Sequence, residues 1–576
     1  MNLKRLIGLA IIVGVISGIG AFVFYALLEL IAGICMNLAG LHLPKPGGEP
    51  PLFEFYFNIK IAICIITALG AFIAGLIVYT FAPETQGDGT DATIRTFHYF
   101  RGIIRGRVSI IKIITSAITI GSGGSAGREG PITQIGAGFG STLATILKLP
   151  DKERRLLLIC GIAGGLGSIF RAPLGGALFA VEVLYKRDFE TQAVIPAFVS
   201  SIVAYTVFIS IFKILGINSL NIFTLPSLSL DFKEIPLYIL VGIISAILVY
   251  LFVKIFYGVH NFFRNLKISN YFKPLIGGFI TGLIGMFLPS VLGTGYGYVQ
   301  ELIYGELPLT FIVLTVFGKI VATSFTLGSG GSGGVFGPSV VIGGFIGGTV
   351  GYFFKQYIPT IHPETYVLLG IASFISAACK TPLTAILMTS EMTGGYQLLP
   401  ALMVSSTIAY LLSKDWSIYH EQLLTQIDSP AHRMEMMVDI LQNIKVKDAM
   451  TPNPLTVDPD DNIEKVISLI EKTGHHGYPV AKDGKLVGVI TFTDLEKIKP
   501  EERAKIKVKE IMTEKPITTS PEEDLKSVLD KMLTLQNISA TKLGKLPVVK
   551  DGKLIGILTK GDIIRAYAKE RKKYFS

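Results

Sequence analysis

Residues 121–131 read GSGGSAGREGP and residues 328–338 read GSGGSGGVFGP, two segments that match at eight of eleven positions. A second, longer pair of similar segments begins at Gly161 and at Gly370. The offset is 207 residues for the first pair and 209 for the second, so their order and spacing agree. The chain therefore contains two homologous halves, at roughly 1–215 and 230–413.

The composition is that of a membrane protein. Half of the 576 residues are hydrophobic and the mean hydropathy is +0.54, which is too apolar for an ordinary soluble enzyme. Apolar stretches of about 20 residues, long enough to span a bilayer, recur between Leu6 and Leu412. The net charge of +10 does not indicate nucleic-acid binding, because many basic residues after 440 alternate with acidic ones. We predict an all-α polytopic membrane domain over 1–413, with no enzymatic activity.

The glycine-rich segments are candidates for an anion site. Repeated halves in membrane proteins commonly have inverted topology, with the transport site near the midplane. A helix beginning near Pro131 or Pro338 would leave several amide N–H groups without intrahelical partners, and such helix ends favour anions. The alternative is that these glycines are close helix–helix contacts.

Glu129 lies within the first glycine-rich segment. An ionisable side chain at membrane depth is a functional hypothesis by default. Its carboxylate could compete with the transported anion, and protonation would remove that competitor. The alternative is a Glu129–Arg128 pair at a helix end.

Three motifs resemble those of the CLC family of chloride channels and chloride/proton exchangers. They are GREGP at 127–131, GVFGP at 334–338 and SEMTGGYQLLP at 390–400. The resemblance implies a CLC-like homodimer with inverted repeats, one pore per subunit, and chloride held at helix N-termini. It also implies a glutamate-gated chloride pathway, in which Glu129 is the gate.

The resemblance also assigns the anion-binding positions. Val335 and Phe336 would donate backbone amides, and the Tyr419 hydroxyl would contact the central ion. The other positions that it implies for anion binding are Asp88, Gly89, Gly127, Arg128, Gly130 and Gly337.

Two positions depart from the family pattern. Residues 87–91 read GDGTD where the family usually has GSGIP, so Asp88 replaces a coordinating serine. A carboxylate there would repel chloride, unless Asp88 points elsewhere, is protonated, or leaves coordination to backbone amides. Exchangers of the family commonly carry an inward-facing glutamate where this chain has Val183. Valine cannot relay a proton, which favours a passive channel.

Two alternatives to the channel remain at this point. The first is a chloride/proton antiporter of the same family, in which Asp88, Glu182 or water replaces the missing glutamate. The second, more remote, is a divalent-cation transporter, which would need acidic residues clustered at membrane depth. The repeated segments offer glycine and serine instead.

A second repeat fills the C-terminal part of the chain. VKDAMTPNPLTV from Val446 reappears as VKEIMTEKPITT from Val508. Each copy ends with an Asp-Gly pair between β-branched runs, at Asp483 and Asp551, which predicts a hairpin with a two-residue turn. We predict a linker over 414–443 and two α+β modules, over 444–500 and 506–576.

These modules resemble a tandem pair of CBS domains. Such pairs bind adenine nucleotides (ATP, ADP or AMP) in a cleft, although a purely structural pair that binds nothing is the alternative. No cofactor is required for transport. The positions that the resemblance assigns to the nucleotide are Tyr478, Pro479, Thr491, Asp494, Ile517, Thr559 and Asp562.

The cellular location follows from the membrane spans. Lys4 and Arg5 precede the first apolar stretch, and positive flanks favour the cytoplasmic side. We expect a multi-pass protein of the plasma membrane, with its N-terminus and its CBS domains in the cytoplasm.

Overall fold

The computed structural model describes residues 3–46, 63–217, 221–226, 230–432, 437, 440–538 and 545–575. The chain divides into two compact units, Met1–Ala431 and His432–Ser576. The division falls inside the segment 414–443 that the sequence predicts as a linker. The exact domain bounds stay predictions.

The described part of the first unit is built from helices in two successive sets of eight. The helices of the first set are α1 Leu3–Leu38, α2 Ile63–Phe81, α3 Gly89–Tyr99, α4 Gly106–Gly121, α5 Glu129–Ile146, α6 Asp151–Ile169, α7 Pro173–Glu182 and α8 Val194–Ile214. Those of the second set are α9 Ile235–Asn265, α10 Lys273–Phe287, α11 Tyr296–Tyr304, α12 Leu309–Gly328, α13 Phe336–Lys355, α14 Pro363–Cys379, α15 Pro382–Thr393 and α16 Leu399–Leu412.

The two sets repeat the same packing. In the first half α1 packs on α8 and α5 packs on α6, and in the second half α9 packs on α16 and α13 packs on α14. The halves also contact each other through α2 with α10 and through α7 with α15. The internal repeat predicted from sequence is therefore a structural repeat.

Equivalent helices of the two halves run in opposite directions. Glu182, at the C-terminal end of α7, accepts hydrogen bonds from the Leu383 and Thr384 amides at the start of α15. Near the C-terminal end of α15, Glu391 accepts hydrogen bonds from the Leu174 and Gly175 amides at the start of α7. Such reciprocal capping requires α7 and α15 to be antiparallel, so the repeats are inverted.

Glycines within the helices allow close crossings. A Cβ on Gly136 of α5 would lie 2.0 Å from the Gly161 carbonyl oxygen of α6. At the equivalent crossing of α13 and α14, a Cβ on Gly343 would lie 2.5 Å from the Gly370 carbonyl oxygen. Close helix contact is the role expected for small residues in membrane proteins. The glycines in the middle of these helices have that role.

The first unit has the dimensions of a membrane domain. Six of its described helices (α1, α2, α8 with its preceding turn, α9 with its preceding turn, α12 and α13) are long and apolar enough to cross a bilayer. Large apolar side chains such as Ile11, Phe279 and Leu314 are exposed on these and neighbouring helices. Such an apolar outer surface is suited to contact with lipid.

The second unit is α+β, as predicted. Its described helices are α17 Val446–Ala449, α18 Ile463–Thr473, α19 Phe492–Leu495, α20 Leu525–Ile538 and α21 Lys560–Phe575. Two short strands, β1 Gly87–Asp88 and β2 Ser332–Gly333, belong to the first unit. The sheet of the second unit consists of β3 Thr451–Pro452, β4 Gly477–Lys482, β5 Lys485–Thr491, β6 Thr513–Glu514, β7 Lys545–Lys550 and β8 Lys553–Thr559, in the order β3-β8-β5-β4 with β6 on β5 and β7 on β8. Because β3 of the first copy pairs with β8 of the second, the two copies form one sheet.

The predicted hairpin turns are confirmed. β4 pairs antiparallel with β5, and β7 with β8. Asp483 and Gly484 both have positive φ angles, of 51° and 75°, and Asp551 and Gly552 have φ angles of 51° and 78°. Two successive positive φ angles are the geometry of the type I′ turn, which matches the twist of a hairpin.

Candidate functional site

The N-terminal ends of α5 and α13 meet in the first unit. The first intrahelical hydrogen bonds run from Ile132 N to Arg128 O and from Ser339 N to Val335 O, each 3.1 Å. The amides before those positions have no intrahelical acceptor, and the positive ends of both helix dipoles add to their attraction for an anion. The two repeated motifs thus build two facing anion-favouring helix ends.

The glycines of the motifs let the two helix ends touch. The Gly127 amide donates a 2.8 Å hydrogen bond to the Gly334 carbonyl oxygen. A Cβ on Gly130 would lie 2.7 Å from Gly334 Cα, and one on Gly337 would lie 2.7 Å from Gly127 Cα. Any side chain at these positions would force the backbones apart.

Glu129 lies between the two helix ends and is 1% exposed. Its Oε1 accepts a hydrogen bond from the Tyr296 hydroxyl. Its Oε2 packs against glycine backbone, since Cβ atoms on Gly127 and Gly337 would lie 2.1 and 2.7 Å from it. The Arg128 guanidinium lies 5.5 Å from the centre of the Tyr296 ring. The carboxylate therefore lies where the two helix ends favour a negative charge.

Asp88 approaches the same site from α3. Its Oδ2 caps that helix by accepting from the Asp91 amide at 3.1 Å, and its Oδ1 accepts from the Val335 amide at 3.2 Å. A Cβ on Gly130 would lie 2.3 Å from Oδ1. Of the options that the sequence left open, the structure shows Asp88 directed into the site, on an amide that the family resemblance assigned to the anion.

Gly89 and Tyr419 pack beside Asp88 and close that side of the site. Gly89 begins α3, where a Cβ would lie 2.4 Å from the Gly130 carbonyl oxygen. Tyr419 is fully buried. Its hydroxyl accepts a 3.9 Å hydrogen bond from the Cys379 thiol and lies beside Thr90. The predicted anion residues Asp88, Gly89, Gly127, Arg128, Glu129, Gly130, Val335, Phe336, Gly337 and Tyr419 thus come together around the two helix ends; their roles stay predictions.

Two buried lysines that the sequence analysis missed fix the loops around the site. Lys112 Nζ donates to the Gly87 and Thr85 carbonyl oxygens at 2.8 and 3.0 Å, in the loop leading to Asp88. Lys319 Nζ donates to the Gly293 and Val291 carbonyl oxygens at 2.9 and 3.0 Å, in the loop leading to Tyr296. The two lysines are 207 residues apart, so extending the repeat alignment would have found them.

Val183 follows the end of α7 and is fully buried. The carboxylate of the adjacent Glu182 accepts three hydrogen bonds. Oε1 accepts from Leu383 N at 3.1 Å, and Oε2 accepts from the amide and the hydroxyl of Thr384 at 2.9 and 2.6 Å. Its mirror partner Glu391 makes the equivalent cap. Glu182 is thus a helix cap in this structure, and it does not replace the glutamate that exchangers of the family carry at the position of Val183.

A cavity of 650 Å³ is lined in part by Asp88. Its acidic and basic lining side chains are Glu84, Asp88, Asp91, Arg95, Arg105, His260 and Glu421. The Arg95 side chain is 58% exposed, so the cavity reaches the surface. It is a candidate aqueous vestibule.

The second unit contains a separate cavity of 270 Å³. Among the residues predicted to bind a nucleotide, Tyr478, Pro479 and Thr491 line it, together with Lys545 and Pro547. Burial lowers the pKa of Lys545. An apolar cleft with a lysine at its wall fits a small ligand that carries both a flat ring and an anionic group.

The other predicted nucleotide residues do not line this cavity. Asp494 accepts hydrogen bonds from the amide and hydroxyl of Thr491 at 3.0 and 2.7 Å, and Asp562 accepts from those of Thr559 at 2.8 and 2.7 Å. Both aspartates therefore cap helices, α19 and α21. Ile517 is 38% exposed and also lies outside the lining.

Comparison with known proteins places this geometry in a family. A family profile described as "Voltage gated chloride channel" matches residues 70–414, and one described as "CBS domain" matches residues 446–500 and 508–569. A voltage-gated ClC-type chloride channel, ClcB of Citrobacter koseri, is 33% identical over 310 residues, 53% of this chain and 73% of that protein. An H⁺/Cl⁻ exchange transporter, ClcA of Vibrio parahaemolyticus, is 28% identical over 362 residues, 62% of this chain and 77% of that protein.

A solved structure has the same fold. It is a slow cyanobacterial Cl⁻/H⁺ antiporter, similar with a TM-score of 0.61 and 22% identity over 71% of this chain and 94% of that one. The profile match spans more than half of the sequence and includes both glycine-rich motifs. The chain belongs to the CLC family of voltage-gated chloride channels and carries a tandem pair of CBS domains.

Proposed function

We propose that this protein exchanges chloride for protons across a membrane, with Glu129 as the gate. The observation that carries the proposal is the buried Glu129 carboxylate, held by Tyr296 at helix ends that favour an anion. Chloride can take this position only after the carboxylate leaves, and a proton removes the charge that keeps it there. Chloride and proton movements are thereby linked.

The closed site supports exchange over passive conduction. Glu129 is 1% exposed and Tyr419 is 0% exposed, so neither side chain is open to water. An exchanger never opens both sides at once, so this arrangement fits every state of its cycle, whereas a passive channel would adopt it only when closed. The antiporter and the exchange transporter to which the chain is similar add support. The sequence favoured the channel, and the balance now lies with its alternative.

A passive chloride channel is the second candidate. It is favoured by Val183, which is buried and cannot carry a proton, and by the similarity to a protein named as a channel. The two candidates differ in one measurable quantity, the number of protons moved per chloride.

The test is reconstitution of the full-length protein into liposomes with a chloride gradient. Chloride efflux and external pH are followed together, with a potassium ionophore to set the voltage. Exchange predicts that outward chloride flux drives proton uptake against a proton gradient, and that Glu129→Gln abolishes proton uptake while chloride still moves. Chloride flux without proton movement would reject exchange in favour of the channel.

We also infer that the CBS cavity binds an adenine nucleotide that regulates transport. Tyr478 and Pro479 offer apolar contact, and Lys545 offers a cation for a phosphate. The test is the melting temperature of the full-length protein with added ATP, ADP or AMP. Lys545→Met should weaken binding about tenfold, the value of one charge-assisted hydrogen bond. Lys553→Met, which removes a lysine outside the cavity, is the control. No shift with any of the nucleotides would reject the inference.

The proposed assembly is a homodimer in the plasma membrane with the N-terminus and the CBS domains in the cytoplasm. The basic residues Lys4 and Arg5 at the start of α1 support this orientation. Light scattering in detergent measures the subunit number. A cysteine introduced at Lys4 should react with a membrane-impermeant thiol reagent only after the membrane is opened; reaction in intact cells would reverse the orientation.

A further inference from the structure

We propose that Asp88 is the inner proton-carrying group of this protein, taking the part that an acidic residue at the Val183 position would otherwise play. The inference rests on the proposed exchange function. It identifies the residue that passes protons between the inner vestibule and Glu129. Nothing in the family resemblance gives Asp88 this role, because the family usually has a serine there.

Asp88 and Glu129 share one short stretch of backbone. Asp88 Oδ1 accepts from the Val335 amide, and Glu129 Oε2 lies against Gly337, two residues further along. Two residues span at most about 7 Å of backbone, so the two carboxylates lie against the same helix end. Water between them would carry the proton from one carboxyl group to the other.

The strand pairing holds Asp88 in this place. β1 (Gly87–Asp88) pairs in parallel with β2 (Ser332–Gly333), which aligns Asp88 with Gly333. Lys112 then fixes the Gly87 carbonyl oxygen from behind. The carboxylate is positioned by both halves of the molecule, as a group that acts on the shared pathway must be.

Protons can reach Asp88 from water. The 650 Å³ cavity is lined by Asp88 and by the acidic side chains of Glu84, Asp91 and Glu421. Asp91 accepts a 2.9 Å hydrogen bond from the Glu421 amide at the cavity wall. Glu84 is paired with Arg105 and Glu421 lies beside Arg95, so the route that the cavity offers to a proton is its water. The other candidate, Glu182, is committed to three hydrogen bonds at the start of α15 and does not line this cavity.

The surroundings allow Asp88 to exist with and without its proton. The buried Lys112 favours the ionised form of Asp88, and the amides of Asp91 and Val335 donate hydrogen bonds to it. Like charge from Asp91 opposes it. The titratable groups that face Asp88 from the packed elements are Lys112 of α4, Asp91 of α3, Tyr257 of α9, Cys379 of α14 and Tyr419 after α16.

The transfer balances without any further reactant. The O–H bond of the Asp88 carboxyl group breaks, an O–H bond forms on a Glu129 carboxylate oxygen, and Asp88 becomes an anion. The neutral Glu129 leaves the helix ends, chloride takes its place, and Asp88 regains a proton from water in the cavity. Proton and chloride thus use one inner vestibule in opposite directions.

The test compares Asp88→Asn, Asp88→Ser and Glu182→Gln in full-length protein reconstituted into liposomes. In both Asp88 variants the number of protons taken up per chloride released should fall about 100-fold, the usual effect of removing a proton-transfer group, whatever the size of their chloride efflux. Glu182→Gln should keep both fluxes coupled. Measurable chloride efflux from a variant shows that the variant has folded. The serine variant shows whether a defect is specific to asparagine.

The outcomes separate this inference from the proposed function. Coupled proton uptake in both Asp88 variants would overturn the role of Asp88 and leave exchange intact. Loss of coupling in Glu182→Gln but not in the Asp88 variants would assign the inner proton to Glu182 instead. Wild-type protein that moves chloride without protons would overturn exchange, and the inference with it.

Discussion

Tyr296→Phe removes one hydroxyl group from the gate. That hydroxyl donates to Glu129 Oε1, and both residues are 1% exposed, so water cannot replace the lost bond. The phenylalanine ring would keep its contact with Phe223, at 5.8 Å between centroids, and its position near the Arg128 guanidinium, at 5.5 Å. The substitution therefore isolates the hydrogen bond from the packing.

The expected magnitude follows from the kind of bond. A hydrogen bond to a charged group contributes about 1.5–3 kcal/mol, and 1.4 kcal/mol corresponds to about a tenfold change in an equilibrium. Loss of the Tyr296 hydroxyl should therefore shift the gate from closed toward open by roughly 10- to 150-fold. We expect the initial rate of chloride efflux to rise by about tenfold or more, until another step limits it.

The assay is chloride efflux from liposomes at one fixed pH and voltage. Tyr298→Phe is the matched control, because Tyr298 lies two residues further along α11 and its ring faces Phe311. The control should behave as the wild type. If Tyr296→Phe elutes as folded protein in detergent and its efflux equals that of the wild type, the hydroxyl does not hold the gate and the reasoning is wrong.

Three further predictions concern the gate, the helix crossings and the CBS unit. Glu129→Gln should weaken the dependence of chloride efflux on external pH, because the gate itself no longer carries a carboxyl group to titrate; an unchanged pH profile would place the gate elsewhere. Gly136→Ala should destabilise the membrane domain by at least about 1–3 kcal/mol through overpacking, seen as a lower thermal aggregation temperature, whereas Gly258→Ala, with nothing within 4 Å, should not. Lysine neighbours lower the pKa of Glu522 to about 2, so its stabilising ion pairs exist above the ordinary glutamate pKa and are lost as pH falls through that folded value. Glu522→Gln should therefore lower the urea midpoint of the second unit at neutral pH and not at pH near 2, and an equal effect at both would refute the pairing.

Much of the gate was predictable because its residues lie in repeated, locally readable motifs. A Gly-rich run that ends in proline forces a helix to begin there, so the anion-favouring ends of α5 and α13 follow from sequence. Glu129 is readable for the same reason. The hairpins at Asp483 and Asp551 were equally local, because an Asp-Gly pair adopts the required positive φ angles.

Other parts of the site depend on residues distant in sequence. The Tyr296 hydroxyl reaches a carboxylate 167 positions away, and nothing near Tyr296 in the sequence indicates a gate. The direction of the Asp88 side chain was left open, because it depends on the Val335 amide, 247 positions away. Glu182 looked available for proton transfer until its bonds to Leu383 and Thr384 assigned it to a helix cap.

The sequence by itself determined the two-fold repeat, the membrane class, the helices that begin near Pro131 and Pro338, and the two hairpin modules. Each of these depends on local composition, spacing or turn chemistry. Only the tertiary structure decided that the repeats are inverted, that Asp88 and Glu129 lie against the same helix end, and that a cavity reaches Asp88. These features arise where the halves meet. Pairing across an interface is set by the packing of both surfaces, and neither surface alone specifies it.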